Sequence, residues 1–165
     1  MAKHCVFRSD LMSGTDVAAD LRSCRVYKDG EYVAVDNGTI VELEGLEEGE
    51  REVVKAKLAT AASKLIDCVV IATPELFYDE RQKNLDEFFN EEGTICRGYV
   101  LRSRSAFSVT KEGFVGEAVP VVGAEVGIGA EGKLDAAGTG FGTCMAIEVA
   151  GRYTYYVIKI GVVEA

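Results

Sequence analysis

Histidine is nearly missing from this chain: His4 is the only one in 165 residues. A Ser-His-Asp or Cys-His device needs its base held rigidly against the nucleophile. His4 lies in a stretch of weak periodicity, where an ordinary surface histidine is the expectation. Catalytic zinc draws on several His or Cys ligands, and no plausible set exists here. The cysteines, at positions 5, 24, 68, 96 and 144, are odd in number and far apart, which speaks against a disulfide framework and a zinc site alike. Cys68, Cys96 and Cys144 sit in apolar, strand-like runs and read as small core residues. A reducing interior is the natural place of synthesis. No apolar run approaches the ~20 residues needed to cross a bilayer as a helix. Lys3 and Arg8 precede no apolar stretch of the kind found in a secretory signal.

Positive charge is also scarce. Lys and Arg number 18 against 27 Asp and Glu, a net charge of −9. Such a surface repels phosphate, so broad nucleic-acid binding is not expected. The opening stretch differs, because Lys3, Arg8, Arg22, Arg25 and Lys28 outnumber Asp10, Asp16 and Asp20. A mildly basic leader could dock on an acidic surface, or could be a solvated tail.

The motifs that resemble chemistry lack their context. Gly138-Thr139-Gly140-Phe141-Gly142-Thr143 looks like a phosphate loop, but no Gly-Lys-Ser/Thr follows, and Cys144–Val149 reads as strand instead of the helix whose N-terminus would face an anion. These glycines are expected to serve turns and close strand approach. Glu42 to Glu52 holds six glutamates without the spacing of a calcium-binding loop, and reads as an exposed acidic loop. With so many acids no carboxylate pair stands out. Arg97, Arg102 and Arg104 read chiefly as a solvated strand face. Tyr153, Tyr155 and Tyr156 read as core or interface aromatics, since a single-strand binder would add a basic groove. No catalytic, cofactor-binding or metal residues are therefore expected.

What is present is β-pattern. Asp29-Gly30 and Asn37-Gly38, each between apolar runs, predict two successive hairpins. Val53 to Asp67 is open between helix and strand, with a strand at either end and a loop or turn of helix between them favoured. Leu85, Phe88 and Phe89 mark one short amphipathic helix or compact loop, stopped by Gly93. From Thr94 onward strands follow at Ile95–Leu101, Ala106–Thr110, Glu125–Ile128, Thr143–Val149 and Tyr153–Ile160, with Pro120 marking an edge or bend. Met145, Ile147 and Val149 share one face, as do Tyr156, Ile158 and Ile160. The expected fold is mainly β, a barrel or sandwich with one short helix. An extended N-terminal arm, with at most a helical turn near Val17 to Leu21, is expected over residues 1–24, and a β-rich body over 25–165.

The order of features carries a resemblance. Asp36-Asn37-Gly38-Thr39 leads into Ile40-Val41-Glu42-Leu43-Glu44-Gly45. Then come Ile71-Ala72-Thr73-Pro74-Glu75, Tyr78-Asp79-Glu80-Arg81, Arg97-Gly98-Tyr99-Val100-Leu101 and Phe107-Ser108-Val109-Thr110, followed by a glycine-rich β tail. At the level of pattern, over roughly residues 26–165, this resembles the head decoration or auxiliary capsid proteins of tailed bacteriophages. The resemblance implies a non-enzymatic virion protein, made in the bacterial cytoplasm, that decorates or cements an icosahedral capsid. Its partners would be the major capsid protein and copies of itself, as in a trimer, with no cofactor, nucleic acid or membrane. Arms of such proteins order on their partner by burying scattered apolar groups. Val6, Phe7, Leu11 and Met12 would be the apolar contacts, and Arg8, Arg22 and Arg25 the charged ones. Two alternatives stand beside it: another virion component, such as a tail-tube or head–tail joining protein, and a small-ligand-binding β-barrel with an apolar pocket.

Overall fold

The computed structural model describes residues 3–8, 20–77, 79 and 84–163. The chain is mainly β. Five strands close into a barrel: β1 (Leu21–Lys28), β4 (Val53–Leu58), β3 (Ile40–Leu46), β5 (Cys68–Ile71) and β6 (Cys96–Val100), in that spatial order, with β6 returning to β1. The short β2 (Glu31–Tyr32) pairs beside β1. A second sheet runs β7 (Ala106–Val109), β11 (Tyr153–Ile160), β10 (Gly142–Ala150), β8 (Glu125–Ile128) and β9 (Leu134–Asp135).

Alternation along each strand explains two cores. In Cys68-Val69-Val70-Ile71 all four residues are buried. Val69 and Ile71 point into the barrel with Cys24, Val26, Val41, Ala56 and Cys96. Cys68 and Val70 point outward, and with Ile40 and Tyr99 they meet the second sheet's Phe107, Cys144 and Ile158, together with Phe141 just before β10. A strand buried on both faces has no polar alternation to lose, so it reads as a continuous apolar run. Gly98 belongs to this packing: a Cβ there would stand 2.6 Å from Val69 Cγ2.

The Asp29-Gly30 hairpin forms, with φ of 55° and 89° at its two turn residues and Tyr27 opposite Tyr32. The Asn37-Gly38 hairpin does not. Gly38 turns the chain at φ 87°, but Val35 bridges Asn90, and β3 pairs with β4 and β5. The Asn37 side chain is committed elsewhere: its amide donates to the Thr73 carbonyl at 2.9 Å, while its oxygen accepts from the Thr73 and Asn90 nitrogens. Between Val53 and Asp67 the chain is a strand, a turn and one 3₁₀ turn. The expected helix near 79–90 is, over the described residues, a 3₁₀ turn at Leu85–Glu87. Gly138 and Gly127 lie backbone against backbone, a Cβ on Gly127 meeting Gly138 Cα at 2.9 Å, which is the close approach expected of the glycine-rich stretch.

The described part of the expected arm is docked on the chain itself. Residues 3–8 are laid along the free edge of β7: Phe7 bridges Val109, the Arg8 amide donates to the Ser108 carbonyl, and Thr110 donates to Val6. Cys5, Val6 and Phe7 are buried within the chain itself. The expected boundary after residue 24 falls inside β1, where Cys24 is fully buried. Apolar side chains with a ready slot in their own core gain more by filling it than by waiting in water. Residues 17–19 of the expected helical turn lie outside the described residues, and Leu21 opens β1.

Candidate interaction surface

The described members of the expected contact set are engaged within the chain. Val6 and Phe7 are buried. Arg8 lies over the Tyr155 ring, 5.3 Å from its centroid. Arg25 pairs with Glu47 at 3.3 Å and donates to the Gly93 carbonyl. Arg22 donates to the Leu21 carbonyl at 2.8 Å. Leu11 and Met12 lie outside the described residues. Of the described members, Val6 and Phe7 are buried and Arg8, Arg22 and Arg25 each have a partner within the chain.

The acidic stretch is built, not loose. Its first part is β3, which forms a hairpin with β4. Glu42 and Glu44 pair with Lys57 across the strands. Glu47 is buried beneath the hydroxyls of Tyr27 and Tyr32. The Tyr27 hydrogen bond holds its carboxyl below the ordinary value against the opposing pull of burial, and Tyr32 and Arg25 add to this. Among the described residues no three His, Cys, Asp or Glu side chains gather as a metal set.

His4 is more than a surface histidine. Its Nδ1 lies 2.7 Å from Asp36 Oδ1, and its ring stacks on Phe89 at 4.7 Å. The neighbouring thiol, Cys5, is held in the protonated form, its pKa pushed up to about 12 by burial and then by the Asp36 charge. The pair therefore ties residues 3–8 to the turn at Asp36. Open clefts of about 480 and 420 Å³ flank it, one lined by Lys3, Lys28 and Lys133, the other by Phe77, Phe88 and Phe89. The barrel interior itself is filled by side chains.

The arginine and tyrosine clusters are also taken up. Arg102 forms a paired salt bridge with the buried Asp20. The chain turns at Arg104, φ 70°, so the two arginines do not extend along one strand. Tyr155 and Tyr156 are buried, and Tyr153 donates to Asp86 at 2.8 Å beside Arg152.

Among the described residues, one edge of the second sheet is left open. β8 pairs with β10 only at Gly142 and Thr143, and the 121–124 turn closes on Cys144. A bulge then interrupts β10 between Cys144 and Ala146. Beyond it, no strand among the described residues lies against Met145–Ala150 on the side away from β11. Ile147 and Val149 sit opposite Tyr156 and Thr154, so their row continues the core face of β11 past the point where the core ends. Val149 is 76% exposed, and Met145 and Ile147 are exposed beside it. Val121, 70% exposed, and Val122 stand on the adjoining turn. The shared face of Ile147 and Val149 follows from alternation, while Met145 falls at the bulge, where the alternation is interrupted. That it would be uncovered depends on the shortness of β8 and on the bulge, neither of which has a local signal. An unpaired strand edge with exposed apolar side chains is a template for another chain. Compared with protein-family models, curated proteins and solved structures, the chain has no match.

Proposed function

We propose that this protein is a non-catalytic structural component of a virion, one that decorates or cements an icosahedral phage capsid through surface contacts. The observation that carries the reading is the apolar, unpaired edge of β10. Backbone groups on such an edge accept a strand or loop of a neighbour, and Met145, Ile147 and Val149 with Val121 and Val122 supply the burial. Its partners in this reading are the major capsid protein and copies of itself. The net charge of −9 supports a station away from packaged nucleic acid. The contact surface is the β10 edge and not residues 3–8, whose apolar groups are already buried in the chain.

The test is composition of the particle. Purified virions of the encoding phage should contain the chain in fixed ratio to the major capsid protein, accessible to protease from outside. Its absence from the particle overturns the reading. The same open edge also favours a second arrangement, a ring or tube as in a tail-tube or head–tail joining protein, because head-to-tail edge pairing closes when its rotation does. Negative-stain images separate rings from shell-bound plaques.

A further inference from the structure

We infer that Cys24 and Cys96 form a site of oxidative cross-linking, a disulfide across the seam that closes the barrel. The two residues are direct partners in the antiparallel pairing of β1 and β6. Both side chains belong to the barrel interior, so they face the same way. Residues directly opposite in an antiparallel pair have Cα atoms roughly 4.5–5.5 Å apart, inside the range that a disulfide spans. All five cysteines are free thiols, and only this pair has such a relation. Cys68 stands opposite Glu42, and Cys144 opposite Ile158. Cys5 lies in the segment along β7, in the other core.

The chemistry needs an electron acceptor, and a low-molecular-weight disulfide supplies it. One cysteine thiolate attacks the small disulfide, forming a mixed disulfide and releasing one small thiol. The second cysteine thiolate then attacks the protein sulfur of that mixed disulfide and releases the second small thiol. The protein loses two protons and two electrons, and the small disulfide becomes two thiols. In the closed barrel both groups are held as thiols: burial, and then the neighbouring Cys96, pushes Cys24 up to about 12, and burial pushes Cys96 up to about 11. Exchange therefore proceeds while the seam is open, during folding or transient separation of β1 from β6, and the closed barrel then protects the bond. The inference stands apart from the virion reading, since it rests on the barrel alone.

The experiment is refolding of the full chain in oxidised versus reduced glutathione, followed by blocking of free thiols and non-reducing peptide mapping. The expected result is one cross-link, joining the peptides that carry Cys24 and Cys96, with Cys5, Cys68 and Cys144 blocked as thiols. The cross-linked form should melt higher by on the order of 10 °C, because a long loop is closed in the unfolded chain. Cys24→Ala and Cys96→Ala should each abolish the cross-link and the redox difference in melting. Five blocked thiols after oxidative refolding overturn the inference. So does cross-linking that joins Cys24 or Cys96 as readily to the other cysteines. Because the mapping is done on the unaltered chain, a variant that fails to fold does not obscure the answer.

Discussion

Phe7 stacks on Phe107 with ring centroids 5.5 Å apart and planes 20° from parallel. One ring comes from the segment along the β7 edge, the other from β7 itself, and both are buried. Phe7→Ala should therefore destabilise the isolated chain by about 3–5 kcal/mol, the usual range for emptying a buried aromatic site. Urea unfolding of the purified protein reads this directly. A loss below about 0.5 kcal/mol, typical of surface sites, would mean that residues 3–8 do not belong to this core in solution.

Gly98 marks a close approach in the barrel wall beside the seam. A methyl there meets Val69 Cγ2 at 2.6 Å and Cβ at 3.1 Å. Gly98→Ala should cost about 1–3 kcal/mol through overpacking. In a Val69→Ala background the same change should cost clearly less, since the space it needs has been vacated. Equal costs in both backgrounds, measured as a double-mutant cycle, would rule out the contact.

The carboxyl of Glu75 gives stability a pH slope of its own. Burial pushes its pKa up, only partly offset by hydrogen bonds from Asn37 and the Phe7 backbone. Oε1 of this group is enclosed without a partner. The folded state thus holds the proton more tightly than the unfolded one, whose value is near 4.5. Its contribution is full below that pH and declines as pH rises through the folded value. Glu75→Gln should unfold at higher denaturant than the parent at pH 7, with the gap narrowing toward pH 4. A gap that is constant with pH would show that Glu75 titrates normally.

Charge on the β10 edge should separate assembly from folding. Ile147→Lys and Val149→Lys each alter an exposed strand residue, so the expected cost in stability is small, roughly 1 kcal/mol. In the proposed function they should weaken attachment to particles severely. Retained attachment with both lysines present would move the contact surface elsewhere.

How much of this was legible depends on where each residue finds its partner. Cys68–Ile71, Cys96–Val100 and Tyr153–Ile160 were readable as strands because alternation and β-branched content are local properties. Asn37-Gly38 misled because the turn is real but the Asn37 side chain ties Thr73 and Asn90, far along the chain, and the hairpin does not form. Residues 3–8 carried no periodic signal: too few to show a pattern, they are ordered by Ser108, Val109 and Thr110, a hundred positions away. The basic residues near the start looked like a docking set, yet Arg25 is held by Glu47 within the same chain. Exposure of the β10 row turned on the length of a neighbouring strand, which no window of sequence reports.

Return of β6 to β1 has a consequence for synthesis. The first strand of the barrel emerges from the ribosome long before Cys96–Tyr99, the stretch that Leu21–Cys24 must pair with. Until then the Leu21–Cys24 part of that strand has no neighbour on one border, and the apolar wall behind it stays wet. Such late, distant pairings slow folding and leave nascent chains prone to sticking to one another. Ribosome-stalled chains ending before residue 96 should therefore be protease-sensitive throughout, and resistance should arise in one step once the strand that completes the circle has cleared the exit tunnel.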